Sequence, residues 1–191
     1  MKKQKLFFIL AGANGVGKTT VSREFLKKYK ELFFLNADET AKNISSESLQ
    51  QIRIEAGKEV LKNLEMLLNK GSSIVIESTL SGKFLIKIIK QAKKLRYKVI
   101  LIYTFVDTPD ICIERIKDRV NKGGHFVPDE DVNRRFYRSI VNFINIYQKI
   151  VNAWILYYNM ENGVVVAKYV NKEIEILDEQ KYNQLEKWSQ K

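Results

Sequence analysis

One cysteine, two prolines and one histidine stand among 191 residues. The single thiol, Cys112, excludes an internal disulfide framework and any metal centre built from clustered cysteines. So little proline, with nine glycines, excludes a collagen-like or proline-rich disordered chain. Long hydrophobic runs are also missing. The first, Leu6 to Ala11, is six residues, far below the roughly 20 that span a bilayer and below the roughly 7–15 of a secretory core segment. A reducing, cytoplasmic setting without a membrane partner is therefore expected. Acid is scarce as well: 33 Lys and Arg face 22 Asp and Glu, a formal charge of +11. Such a balance raises nucleic acid as a partner. The positive residues, however, are divided among Lys27-Lys28-Lys30, Lys87 to Arg96 and Arg134 to Arg138. Lys87, Lys90 and Lys94 recur at helical spacing beside Ile86, Ile89 and Leu95, the pattern of a solvated helix face. That argues against nucleic acid. What is present, 45% hydrophobic and 29% charged residues, suits one domain over residues 1–191 with a sizeable core.

The hydrophobic pattern alternates between strand and helix. Lys5 to Ala11 reads as a buried strand, Lys18 to Lys30 as a helix, and Leu32 to Leu35 as a short strand. A longer helix from Glu47 to Asn69 carries Leu49, Ile52, Ala56, Val60, Leu64 and Leu67 on one stripe, and Gly71 stops it. Ser73 to Ile76 is a third strand, Gly82 to Arg96 a helix, and Lys98 to Val106 a fourth strand. Thr108 and Pro109 suit the cap and first position of a helix reaching Asn121. Residues 121–128 read as a loop, and Asp129 to Val151 as a helix. Ile155 to Tyr158, Gly163 to Val170 and Ile174 to Leu177 follow, with a turn signal at Asn162-Gly163. Strand–helix alternation predicts an α/β fold with a mostly parallel sheet covered on both faces, ending in a C-terminal β-hairpin.

Between the first strand and first helix lies Gly12-Ala13-Asn14-Gly15-Val16-Gly17-Lys18-Thr19, which fits G-x-x-x-x-G-K-[ST] and is followed by Thr20. Glycines let a backbone wind closely around phosphate oxygens, and the helix N-terminus meets their charge. Lys18 is expected to bridge the β- and γ-phosphates, and Thr19 to ligate Mg²⁺. Gly12 to Thr20 are therefore expected to hold the phosphates of a nucleotide.

Ligands of open α/β sheets bind beyond the carboxyl ends of the strands, where polar residues recur. Asn36-Ala37-Asp38-Glu39 follows strand two and Glu77-Ser78-Thr79-Leu80-Ser81 follows strand three; Asp107 follows strand four. A kinase needs a carboxylate to orient or deprotonate its acceptor hydroxyl. Asp38 is the first candidate, with a helix N-cap as its structural alternative. Glu77 suits the acceptor, or Mg²⁺ through water, or a buried arginine; Ser78 and Thr79 extend the acceptor site. Asp107 suits a cap or a contact to the nucleotide base. Arg115, Arg119, Arg134, Arg135 and Arg138 flank Gly123-Gly124, and a lid-like segment over about 119–138 would carry arginines over the transferring phosphate. Adjacent Arg134 and Arg135 point about 100° apart on a helix, so both are not expected in one site. His125 suits a phosphate or acceptor contact or a structural role. Cys112, between Ile111 and Ile113 in a helix, reads as packing.

These residues resemble the zeta-toxin family of P-loop kinases from about Phe7 to Asn159. The resemblance runs through Gly12–Thr19, Asn36-Ala37-Asp38-Glu39, Glu77 to Gly82, Arg119 to Pro128 and Arg134 to Ser139. It implies a P-loop NTPase three-layer fold, adenylate-kinase-like, and ATP- or GTP-dependent phosphorylation of a small-molecule hydroxyl. The acceptor it implies first is UDP-N-acetylglucosamine, and the implied partner protein is an antitoxin. Carried over by motif, Lys18 and Thr19 take phosphate and Mg²⁺, Asp38 the catalytic-base position and Glu77 the acceptor position. Arg119 and one or both of Arg134 and Arg135 take transition-state positions. A nucleoside, nucleotide or other metabolite kinase on the same scaffold is the alternative, ahead of a nucleic-acid-binding NTPase.

Overall fold

The structure is a computed structural model that describes residues 4–29, 31–41, 44, 48–161 and 163–190. Five strands lie parallel: β1 (Leu6–Ala11), β2 (Phe33–Leu35), β3 (Ile74–Ser78), β4 (Lys98–Phe105) and β5 (Ala153–Tyr158). The antiparallel β6 (Val164–Val170) and β7 (Glu173–Ile176) extend one edge, giving the order β2-β3-β1-β4-β5-β6-β7. The helices are α1 (Lys18–Lys28), α2 (Ala37–Ala41), α3 (Leu49–Lys70), α4 (Leu85–Lys94), α5 (Pro109–Asn121), α6 (Asp129–Asn142), α7 (Gln148–Ile150) and α8 (Glu179–Ser189), with a π-helical turn at Phe143–Tyr147 joining α6 to α7. This is the expected mostly parallel α/β fold with an antiparallel C-terminal hairpin.

Local chemistry sets the boundaries. Ser48 caps α3 by accepting from the Gln51 amide, and Gly71 ends it in the left-handed region. Thr108 caps α5, Pro109 opens it, and Asp110 sits in its first turn. β3 runs two residues past its expected end because Glu77 and Ser78 continue the parallel pairing, opposite Leu10 and Ala11 of β1. The expected helix from Asp129 to Val151 is broken by the π-helical turn. Lys30, Glu47 and Asn162 lie outside the described residues, as does the side chain of Leu49.

The two faces of the sheet are unequally covered. Phe8, Leu10 and Val75 meet Phe25 and Leu26 of α1 on one face. Phe7, Ile9, Ile74, Val99 and Leu101 form the other, packed by Leu64 of α3, Leu85 of α4, Cys112 of α5, Phe136 of α6 and Leu185 of α8. Burying such side chains is worth about 1.5–3 kcal/mol each against exposure, so this thicker layer carries most of the core. Within it Tyr103 stacks on Phe143 at 4.4 Å between centroids and shares a 2.7 Å hydrogen bond with Ser139.

Sequence reading missed α8. It backs α6 through an edge contact between Trp188 and Phe136, 5.7 Å between centroids. Its Lys181 ammonium lies 4.3 Å from the Tyr158 ring centroid and donates to Asp107, which also accepts from the Tyr158 hydroxyl. Partial burial alone would raise the Asp107 carboxyl; the hydrogen bonds from Lys181 and Tyr158 outweigh it and hold the group below its ordinary value. Thr108, not Asp107, is the cap of α5.

A carboxyl depressed in the native state stabilises the fold above its ordinary value and loses that contribution as pH falls through the native value. Asp107→Asn should therefore lower stability by about 1 kcal/mol at pH 7, with the deficit fading below about pH 3. Thermal unfolding at the two pH values checks this, and a deficit that persists undiminished in acid would contradict it.

Candidate active site

The loop between β1 and α1 winds around its own backbone. Gly12, Gly15 and Gly17 adopt φ of +137°, +84° and +94°, a region that strains any residue with a Cβ. Space is limiting too. A Cβ on Gly15 would lie 2.4 Å from the Cys112 carbonyl oxygen, and one on Gly17 2.1 Å from Asn159 Nδ2. Ala13 and Val16 are buried, which anchors the loop to the core. From behind, Gly12 N–H donates to the Ser78 carbonyl at 3.2 Å. The Val16 carbonyl accepts from Asn159 Nδ2 at 2.7 Å and from Arg115 at 3.5 Å. Lys18 Nζ donates to the Ala13 carbonyl at 2.9 Å, so its ammonium folds over the loop it follows.

In front of the loop opens a cavity of about 730 Å³. Asn14, Gly15, Gly17, Lys18, Thr19 and Thr20 line it, with Asn36, Glu77, Ser78 and Thr79 from the strand ends. Glu77 is held from two sides. Ser22 donates to one carboxylate oxygen at 2.6 Å, and Asn36 Nδ2 to the other at 3.0 Å. Among the described residues its partners are thus a hydroxyl and an amide, and the buried arginine that the sequence left open is not among them. Thr79 and Ser81 share a 2.8 Å hydroxyl contact. Asp38 is the second residue of α2, inside the helix rather than at its cap; its side chain lies outside the described residues.

Arg115, Arg119 and Arg135 line the same cavity. Arg115 is fixed by the Asn159 carbonyl at 3.0 Å. Arg119 gives one terminal nitrogen to the His125 carbonyl at 2.6 Å, while its buried Nε has no hydrogen-bond partner among the described residues. Such an orphan donor is uncommon in a folded interior and suits an anion. Arg135 reaches Asn14 of the phosphate loop at 3.1 Å and Asp131 at 3.0 Å. Its neighbour Arg134 is half exposed, pairs with the other Asp131 oxygen, and is not among the cavity-lining residues. The expected divergence of the adjacent arginines is thus realised, and α6 selects Arg135. The His125 side chain is exposed and lies off the cavity wall. The 119–138 segment is docked by Arg135 and by Val127, which is 2% exposed.

Burial pushes the Cys112 thiol up to about 12 against the opposing charges of Lys18 and Arg115, so it packs behind the loop as an unreactive thiol. Sequence reading named one further contributor only as part of a group and missed two. Arg115 stood in the arginine group without a role of its own. Asn159 follows β5, where the strand-end rule could have flagged it. The third is a wall formed by Ile54, Gly57, Lys58 and Leu61 of α3, with Phe84 at the start of α4. Its signal was a glycine inside a helical pattern.

Among the described residues no helix is long and apolar enough to cross a membrane. A protein of uncharacterized function from Haemophilus influenzae is 30% identical over 136 residues, covering 71% of this chain and 94% of its own length. A chain of the AvrRxo1-ORF1:-ORF2 complex, determined with ATP, superposes with a TM-score of 0.79 at 20% identity, over 95% of this chain. The present chain spans 63% of that protein's length. A chain of the PezAT chromosomal toxin–antitoxin system of Streptococcus pneumoniae has a TM-score of 0.69 at 18% identity, over 98% of this chain and 86% of its own. At these identities the two structures establish the shared fold. The family model described as Zeta toxin matches residues 1–172, from before β1 to the turn after β6. The chain belongs to the zeta toxin family.

Proposed function

We propose that the protein is a kinase that transfers the γ-phosphoryl group of ATP or GTP to a hydroxyl of a small molecule, with UDP-N-acetylglucosamine as the leading acceptor. The observation that carries this reading is the meeting of the backed phosphate loop, three arginines and the tethered Glu77 around one cavity. The ATP-bound AvrRxo1 relative supports the nucleotide.

In this reading the loop amides and Lys18 hold the β- and γ-phosphates. The acceptor oxygen attacks γ-phosphorus, the bond to the β–γ bridging oxygen breaks, and the nucleoside diphosphate leaves. Asp38 takes the acceptor proton. Glu77, Ser78 and Thr79 orient the acceptor, Glu77 being positioned for this by Ser22 and Asn36. Arg119 and Arg135 stabilise charge spread over the equatorial oxygens. Arg115 braces the loop. Thr19, on the cavity wall at the start of α1, suits a hydroxyl ligand of Mg²⁺. Bound there, Mg²⁺ would neutralise phosphate charge. An antitoxin protein is the proposed partner, supported by the toxin–antitoxin setting of the PezAT relative.

Mass spectrometry of products from protein, Mg²⁺, ATP and UDP-N-acetylglucosamine tests the activity. Added phosphate that is lost with Lys18→Ala is expected; no phosphorylated sugar nucleotide would reject the acceptor. Asp38→Ala should lower turnover by about 10²–10⁴-fold while leaving ATP affinity within about twofold. Unaltered turnover would sink the base assignment. The two adjacent arginines should separate. Arg135→Ala is expected to lower kcat by about 10²–10³-fold, whereas Arg134→Ala should stay within about threefold of wild type. Equal losses would contradict the selection of Arg135 by α6.

A further inference from the structure

Gly57 is the ninth residue of the 22-residue α3. Glycine in a helix interior is unfavourable, because the unfolded chain has more freedom to lose and no side chain packs in return. Crowding is the usual reason for keeping one. Among the described residues, nothing lies within 4 Å of a Cβ built at Gly57. Nor is its φ in the left-handed region that favours glycine. Among the described residues, packing therefore gives no reason for a glycine at this position.

Its placement supplies one, because Gly57 faces the cavity. Ile54, Lys58 and Leu61 line the same wall, at the spacings that bring helix residues onto one face. Ile54 is 50% exposed, and so is Phe84, at 51%, elsewhere on the cavity lining. Lys58 is exposed and enters no ion pair among the described residues. The wall thus offers bare helix backbone, apolar flanks and the exposed positive charge of Lys58. The phosphate loop and its arginines belong to the same lining, on other elements of the fold.

We propose that Gly57 is a specificity-determining position at which the missing side chain leaves α3 as a flat wall for a ring of the acceptor, flanked by Ile54 and Leu61, with Lys58 meeting an anionic substituent. This rests on the kinase reading above and narrows its acceptor to a ring-bearing, negatively charged hydroxyl compound. A free neutral sugar lacks the group that Lys58 would meet. Any side chain at position 57 would project into the space the ring needs.

The test uses the full chain saturated with ADP, so that the phosphate loop is occupied. UDP-N-acetylglucosamine, UMP and N-acetylglucosamine serve as probes in calorimetric titrations of wild type, Gly57→Ala, Gly57→Leu and Lys58→Met. Gly57→Ala should raise Tm by about 2–4 °C, as expected when glycine becomes alanine within a helix of a chain this size. The same variant should weaken sugar-nucleotide binding, and Gly57→Leu should weaken it at least about tenfold, with ADP affinity unchanged. Lys58→Met should weaken both charged probes by about threefold to tenfold. Equal binding by wild type and Gly57→Leu would overturn the inference. So would no binding of either charged probe to wild type, or binding of the free sugar as tight as that of the sugar nucleotide. Transfer is read in parallel samples with ATP. A sugar nucleotide that binds in a Gly57-dependent way but is not phosphorylated would reject the proposed kinase activity on that acceptor and leave the role of Gly57 standing.

Discussion

The site depends on how the phosphate loop is held from behind. A loop that presents its N–H groups to an anion must turn its carbonyls elsewhere, and each inward carbonyl then needs a donor. The Val16 carbonyl receives two, the Asn159 amide and the Arg115 guanidinium. The Cys112 backbone closes the space behind Gly15. These partners come from the strand end of β5 and from α5, elements far apart in sequence. The loop's shape is therefore a property of the assembled sheet. Its glycines permit the conformation, and the neighbours select it.

The same division explains what could be read in advance. Local signals carried most of the fold: the buried run before Gly12, the Thr108-Pro109 start of α5, the stop at Gly71. They also placed the phosphate loop, and helical geometry alone foretold that Arg134 and Arg135 would diverge. Where pairing across the sheet overrode local pattern, the reading stopped short, as at Glu77 and Ser78, which β1 draws into β3. α8 escaped notice because it is polar and marginal alone. Tyr182 and Leu185 make it a helix worth forming only once β6 and α6 are there to receive them. Arg115 and Asn159 were invisible as a pair, since nothing in a linear chain says that residues 44 apart will share a carbonyl.

α6 organises charge economically. Asp131 sits one turn before both arginines and binds each with a different oxygen. Arg134 stays at the surface, while Asp131 and Asn14 together hold Arg135 on the cavity wall. A guanidinium already held in place loses less side-chain freedom when an anion arrives. The opposite side of α6 is buried against the core, with Phe136 touching Trp188 of α8.

That backing gives the chain an order of completion. Translation delivers α8 after every other element described, so the Trp188 contact and the Lys181 tie to Asp107 cannot form until those residues have been made. While the polypeptide is still emerging, the helix that bears Arg135 has no α8 behind it. A nascent chain thus carries the phosphate loop before it carries the helix that backs α6.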